Sequence, residues 1–217
     1  GRAGVQDEGS QLVSLALARA DAPDGPWLDL CAGPGGKSAL LAGLAREAGF
    51  AFLASEIAPH RARLVRSALR GYPDEDRRLV ITADGTRPAW RPAGFARVIA
   101  DVPCTGLGAL RRRPESRWRR TEESVDELHG LQRALLDSAI RAACPGGVVA
   151  YVTCSPHRHE TADVIAETLA DQSDLEVLDA PALLPEVHDA ATGRFIQLWP
   201  HRHGTDAMFA ALLRLPQ

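Results

Sequence analysis

Three features of the sequence predict an α/β fold built on a mostly parallel, buried sheet. Short apolar runs alternate with longer amphipathic segments, the pattern of successive βα units. A Gly-rich turn, Asp29-Leu-Cys-Ala-Gly-Pro-Gly-Gly-Lys-Ser38, falls where the first strand passes into the first helix. Successive strands also end near an acid, at Asp29, Glu56, Asp84 and Asp101.

The elements follow in order. Trp27–Cys31 reads as the first strand and Lys37–Ala48 as the helix that leaves the turn. Ala51–Glu56, Leu79–Ala83, Val98–Asp101 and Val148–Thr153 read as further strands, with Pro59–Arg70 and Glu122–Ala143 helical in period and length. Thr121 is placed to cap the last helix, Glu122 and Glu123 suit its first turn, and Pro145-Gly146-Gly147 stops it. Arg194–Leu198 and Met208–Leu213 form a terminal antiparallel hairpin. No internal repeat or low-complexity tract interrupts this order.

At 217 residues, 45% of them hydrophobic and 24% charged, the expectation is one domain, 1–217, with one sizeable core. No stretch approaches the roughly 20 apolar residues of a bilayer span, and Gly1–Ser10 lacks a signal-peptide layout, so a cytoplasmic protein is expected. Cys31, Cys104, Cys144 and Cys154 are too few for a disulfide scaffold and lack paired zinc spacing; reduced thiols and no metal are expected. The net charge of -3 hides a local bias, because Arg111, Arg112, Arg113, Arg117, Arg119 and Arg120 fall within one short segment. Lys37 is the one lysine, which marks it within an otherwise Arg-only set of basic side chains.

Glycines let a backbone approach a ligand, and the helix that follows offers unpaired N–H groups. The turn misses a phosphate-binding loop by one residue, Cys31 standing where Gly is needed, and misses a dinucleotide fingerprint by one, at Ser38. The loop alone leaves three ligand classes open. In a doubly wound sheet the strand tips surround one crevice, and four carboxylates there oppose a triphosphate. They suit a ligand with an ammonium, a sulfonium and ribose hydroxyls, as S-adenosylmethionine has, with Glu56 the candidate for the ribose diol.

Cys104 and Cys154 follow the fourth and fifth strands and so lie at the same sheet edge. C5 of cytosine is a poor nucleophile until a thiolate adds to C6 and turns C5 into an enamine carbon. A thiol of pKa ~8.5 needs a helix N-terminus or a nearby cation to ionise, and a helix is expected near Glu160, just after Cys154. A lone cysteine is more often a small buried hydrophobe, the reading given to Cys144, at a helix end, and to Cys31.

At these residues the chain resembles the NOP/Sun family of RNA 5-methylcytosine methyltransferases, and within it the bacterial Fmu-type 16S ribosomal RNA enzymes. The likeness begins at Gly4-Val-Gln-Asp-Glu-Gly-Ser-Gln11. Asp29–Ser38 follows the family's DxCAAPGGKT, with Gly33 for the second Ala and Ser38 for Thr. Asp101–Trp118 follows DxPCSGxGxxRRxPDxxW, with Thr105 for Ser and Glu115 for Asp. Tyr151–Ser155 follows YxTCS, and Gly204–Phe209 resembles GTDGFF. After Thr-Cys-Ser the family has Pro and then Glu-Asn, where this chain carries Arg158, Glu160 and Thr161.

The resemblance implies a Rossmann-like class I S-adenosylmethionine-dependent methyltransferase fold, a mostly parallel seven-stranded sheet with a C-terminal antiparallel hairpin. It implies that Cys154 attacks C6, that Cys104 assists proton handling and product release, and that Asp101 contacts the base or the methionine end of the cofactor. Cys31, Ala32, Gly33, Pro34, Gly35, Gly36 and Lys37 would line the methionine part, Glu56 the ribose and Asp84 the adenine, with Arg61 close to the cofactor. Fmu-type enzymes also carry an N-terminal RNA-binding region, and none is visible in this sequence.

For RNA, Arg111, Arg112, Arg113 and Arg117 flank Trp118; guanidinium groups pair with phosphates, and an aromatic ring stacks on a base or packs under the cluster. Stacking blocks ring chemistry inside a duplex, so the substrate is expected to be single-stranded or an extruded cytidine. Ribosomal RNA stands ahead of transfer RNA as substrate, and a monomer is expected. A cofactor- and RNA-binding assembly factor without turnover is the rival reading, opposed by the presence of both cysteines. Thermal-shift measurement is expected to find stabilisation by S-adenosylmethionine; stabilisation by ATP alone overturns the assignment.

Overall fold

The computed structural model describes residues 4–72 and 77–217. The chain enters through α1 (Glu8–Arg19), a helix that periodicity does not predict. Its buried face is built partly from Gly9, Ser14 and Ala16 beside Val13 and Leu17, so the apolar stripe is diluted by small residues. Asp7 caps it, accepting from the Gly9 N–H at 3.0 Å.

Then come β1 (Trp27–Asp29), α2 (Gly36–Glu47), β2 (Phe52–Glu56), α3 (Pro59–Leu69), β3 (Arg78–Thr82) and β4 (Phe95–Asp101). A short α4 (Ser116–Arg119) leads to α5 (Glu122–Ala142), β5 (Ala143–Thr153) and α6 (Ala162–Asp171). The chain closes with β6 (Glu176–Val177), β7 (Ala191–Thr192), β8 (Phe195–Gln197), α7 (Pro200–His203) and β9 (Phe209–Arg214). Ser124 accepts from the Thr121 N–H at 3.3 Å at the start of α5, as expected of that helix entry.

The strands form one sheet in the order β3-β2-β1-β4-β5-β9-β8-β7, with β6 also on β9. The first five pair in parallel, and β9 runs antiparallel to β5, β6 and β8. The described residues thus hold nine strands rather than seven, because two-residue pieces, too short to carry a period, add to the edges. The hairpin is present as β8 and β9, with Ile196 opposite Ala210. β5 reaches back to Ala143, so Cys144 and the Pro-Gly-Gly segment lie in a strand, and α5 already ends at Ala142.

Helices cover both faces. Val148, Ala150 and Val152 of β5 join α1, α2 and α3 in one core, while Val149 and Tyr151 join α5 and α6 in the other. This alternation is the period of two that a strand imposes, and burial on both faces explains the unbroken apolar run. The strand order reverses between β1 and β4, which opens a crevice at their C-terminal tips. Leu17 of α1 is only 1% exposed. Leu17→Ala is expected to lower the unfolding free energy by about 2–5 kcal/mol in urea titration.

Candidate active site

The crevice is a cleft of about 750 Å³, within the ~300–1,000 Å³ range of small-molecule sites. Among the expected residues, Cys31, Ala32, Gly33, Pro34, Gly36, Lys37, Arg61, Asp101, Cys104 and Cys154 line it, as do Arg111, Arg112 and Arg113. Gly35, Glu56, Asp84, Arg117 and Trp118 stand outside its lining.

The glycine loop is shaped by what lies behind it. Gly35 precedes α2 at φ 116°, and a Cβ there would sit 2.9 Å from the Ala68 side chain and 3.0 Å from the Val65 backbone, so Gly is required. Buried Glu56 accepts from the N–H of Gly33 and of Ala58, each at 2.9 Å. Arg61 donates to the Gly33 carbonyl at 2.6 Å and stands 3.6 Å from Glu56. A Cβ on Gly33 would meet the ends of the Glu56 and Arg61 side chains, which would have to shift to admit it. Glu56, expected at the ribose, thus also braces the glycine loop. Asp84 turns onto its own loop, accepting from the Thr86 hydroxyl at 2.7 Å, which holds its carboxyl below the usual range.

Deeper in the cleft, Lys37 Nζ donates to Asp101 at 2.8 Å and to Ser10 of α1 at 3.2 Å. Burial opposes the Lys37 ammonium, but contact with Asp101 outweighs it and raises its pKa. Asp29 lies under this pair. Its Oδ2 accepts from Ser38 at 2.6 Å, its Oδ1 is buried without a hydrogen-bond partner, and burial pushes its pKa up to about 7. Cys31 is driven well above the ordinary thiol range, first by burial and then by Asp29, Asp101 and Glu56, which makes it a poor nucleophile.

The two remaining thiols meet. Cys104 Sγ and Cys154 Sγ are 3.4 Å apart, on loops that leave the neighbouring strands β4 and β5. The contact with Cys104 holds the Cys154 thiol below its ordinary value, helped by Lys37, while the same contact and burial raise Cys104. Assistance therefore comes from a thiol and an ammonium. The helix expected near Glu160 follows as a single 3-10 turn, Arg158–Glu160, and then α6 from Ala162. Gly108 packs beneath, its N–H donating to the Cys154 carbonyl at 2.9 Å; a Cβ would overlap the Ala207 carbonyl.

The arginine segment divides in two. Arg111 pairs with Asp7 at 2.9 Å, and Arg112 forms a bidentate pair with Asp206, both carboxylates being buried. These contacts join the entry segment, the arginine segment and the Gly204–Phe209 segment at the cleft rim. Arg113 and Arg117 are exposed, and Trp118 is 83% exposed on α4, so its ring does not pack under the cluster. Ser10, Asp7, Asp206 and Glu160 belong to the site without having been read as such. Asp7 and Asp206 stood inside recognised motifs, but no local pattern announces their partners.

A parallel sheet with reversed order, an antiparallel β9, a glycine loop and acidic strand tips define a class I S-adenosylmethionine-dependent methyltransferase. The cleft suits that cofactor: Gly35 keeps the loop open to close approach, and the unpartnered Asp29 oxygen suits an ammonium. Residues 15–214 match the family model for 16S rRNA methyltransferase RsmB/F, and the chain belongs to that family. It is 54% identical over 217 residues to a Mycobacterium tuberculosis protein named as a candidate methyltransferase, covering 99% of this chain and 46% of that one. It is 35% identical to the ribosomal RNA small subunit methyltransferase B of Xanthomonas campestris, covering 98% and 47%. The crystal structure of PH0851 superposes with a TM-score of 0.86 at 29% identity, covering 97% of this chain and 46% of that one. The chain thus spans about half the length of the curated relatives it matches. No helix among the described residues is long and apolar enough to cross a membrane.

The raised Asp29 pKa sets a sign. Between about pH 4 and pH 7 the folded chain holds a proton that the unfolded chain has lost, so this group makes stability fall as pH rises through that window. Asp29→Asn keeps an acceptor for Ser38 and is expected to flatten this part of the stability profile in denaturant titrations at stepped pH.

Proposed function

We propose that this chain, as a single catalytic domain, methylates C5 of a cytidine in RNA, ribosomal RNA ahead of transfer RNA, through a covalent Cys154 adduct. The observation that carries the reading is the pair of thiols 3.4 Å apart beside the Lys37–Asp101 ion pair, within one cleft. Cys154 supplies the nucleophile: its thiolate bonds to C6, and the electron pair moved into the ring makes C5 nucleophilic. S-adenosylmethionine, when bound, supplies the methyl group that C5 takes up. The C5 proton is then removed with the help of Cys104, and the C6–S bond breaks to return the Cys154 thiolate and an aromatic ring. Asp101, already held by Lys37, faces the base or the methionine end. Asp29 and the loop Cys31–Lys37 would hold the methionine part of the cofactor, and Glu56 with Arg61 the ribose side.

On the RNA side, Arg113, Arg117 and Trp118 offer free charge and a ring, whereas Arg111 and Arg112 hold the rim together. An unstacked cytidine is required, because the thiols lie in a cleft that a paired base cannot enter. The chain would act in the cytoplasm as a monomer.

The test is adduct trapping on RNA with S-adenosylmethionine present. Cys104→Ala is expected to accumulate a denaturation-resistant protein–RNA adduct, and Cys154→Ala to form none. If the double variant cross-links as well as Cys104→Ala does, the nucleophile is elsewhere.

A further inference from the structure

Two cysteines 50 residues apart sit at contact distance on loops without secondary structure, so something must hold those loops together. The parallel pairing of β4 and β5 brings their last paired residues, Asp101 and Val152, side by side, but Cys104 and Cys154 lie beyond the ladder. The connection is made by Glu160, a fully buried carboxylate on the turn before α6.

Its Oε1 accepts from the Thr105 N–H at 2.8 Å and from Gln132 Nε2 at 3.1 Å. Its Oε2 accepts from the Thr105 hydroxyl at 2.5 Å and the Ser155 hydroxyl at 2.5 Å. Thr105 follows Cys104 and Ser155 follows Cys154, so one carboxylate grips the residue next to each thiol. Gln132 also donates to the Pro103 carbonyl at 2.9 Å, which fixes the other side of Cys104 from α5. The Glu160 carbonyl accepts from the Tyr151 hydroxyl at 2.8 Å and anchors the turn to β5. Four donors occupy the acceptor sites of the carboxylate, so its oxygens are satisfied by hydrogen bonds alone.

We infer that Glu160 is the positioning residue that sets the contact between the two thiols and decides which of them is the nucleophile. It does so by geometry, since both loops hang from it, and by charge, since its carboxylate takes two donors from Thr105, next to Cys104, and one from Ser155, next to Cys154. The contact with Cys154 and burial oppose ionisation of Cys104 first, and the Glu160 charge adds to them. Lys37 favours the thiolate on the other side, at Cys154. Glu160 does not line the cleft, so it acts through the cysteines rather than on cofactor or base. The inference rests on the methyltransferase reading above for its consequence, but the thiol asymmetry itself is measurable without RNA.

The experiment is iodoacetamide labelling of the full chain between about pH 6 and pH 9, with each cysteine followed by peptide mass spectrometry. Wild type is expected to label at Cys154 ahead of Cys104. Glu160→Gln, similar in shape but uncharged, is expected to reduce that preference about tenfold, the equivalent of one pKa unit. Glu160→Asp, which keeps the charge on a shorter arm, should restore part of it. Stabilisation by S-adenosylmethionine should stay unchanged in Glu160→Gln, while kcat for methyl transfer falls and KM for the cofactor does not move. A preference retained within twofold in Glu160→Gln, or absent from wild type, overturns the inference. If Glu160→Gln does not fold, Thr105→Val decides: it removes one donor, and an unchanged labelling preference overturns the proposal equally. Failure of wild type to form a trapped adduct would instead sink the proposed reaction while leaving the labelling result standing.

Discussion

The parallel pairing of β4 with β5 is the constraint on which the site depends. From Arg97 opposite Val148 to Asp101 opposite Val152 the two strands keep step, buried on both faces between α1–α3 and α5–α6. Strands held in step end at the same height, so the loops leaving them start as neighbours. Two thiols in contact and the carboxylate that holds both of their loops are then supplied by segments far apart in sequence. The core that imposes this is apolar and generic. Its precision lies in the register.

A second layer of control is electrostatic. Two carboxylates of the strand tips, Asp29 and Asp101, stand by a single ammonium, that of Lys37, and a third, Glu56, stands by Arg61. The protein distributes their charge unequally: Asp101 takes the lysine, Glu56 takes two backbone N–H groups and Arg61, and Asp29, with one oxygen unpartnered, retains a proton more readily. The same field separates the cysteines. Cys31, among the carboxylates, is disfavoured as a thiolate, whereas Cys154 gains from Cys104 and Lys37. Two cysteines of one short chain are thus made chemically unlike by a few ångströms of position.

The rim applies a different logic to a repeated residue type. Arg111 and Arg112 neutralise the buried carboxylates of Asp7 and Asp206, contacts that bind three remote segments into one edge. Breaking such a pair leaves an uncompensated buried charge, so these arginines act first as structure. Arg113, Arg117 and Trp118 remain outward and carry no comparable internal duty. A run of basic residues that looks uniform in sequence is therefore two functional groups.

The sequence by itself determined the βα order, the glycine loop, the acidic strand tips and the two cysteines that follow neighbouring strands, because each is written in neighbouring residues: a period, a turn composition, a residue at a strand end. Strands β2 and β3 and helices α2, α3 and α5 lie within one residue of where periodicity places them. The same local reading missed α1, whose small buried residues blur its stripe, and started β5 too late, at Val148 rather than Ala143, because Pro and Gly signal a stop even where pairing continues. Only the tertiary structure decided which carboxylate braces and which stays free, which arginines are committed, and that Glu160 joins the cysteine loops. The Glu56 brace, the Glu160 grip on Thr105 and the arginine pairs depend on hydrogen bonds across 23 to 104 positions of chain. No spacing in a sequence encodes a contact of that kind; it exists only once the sheet has set the register.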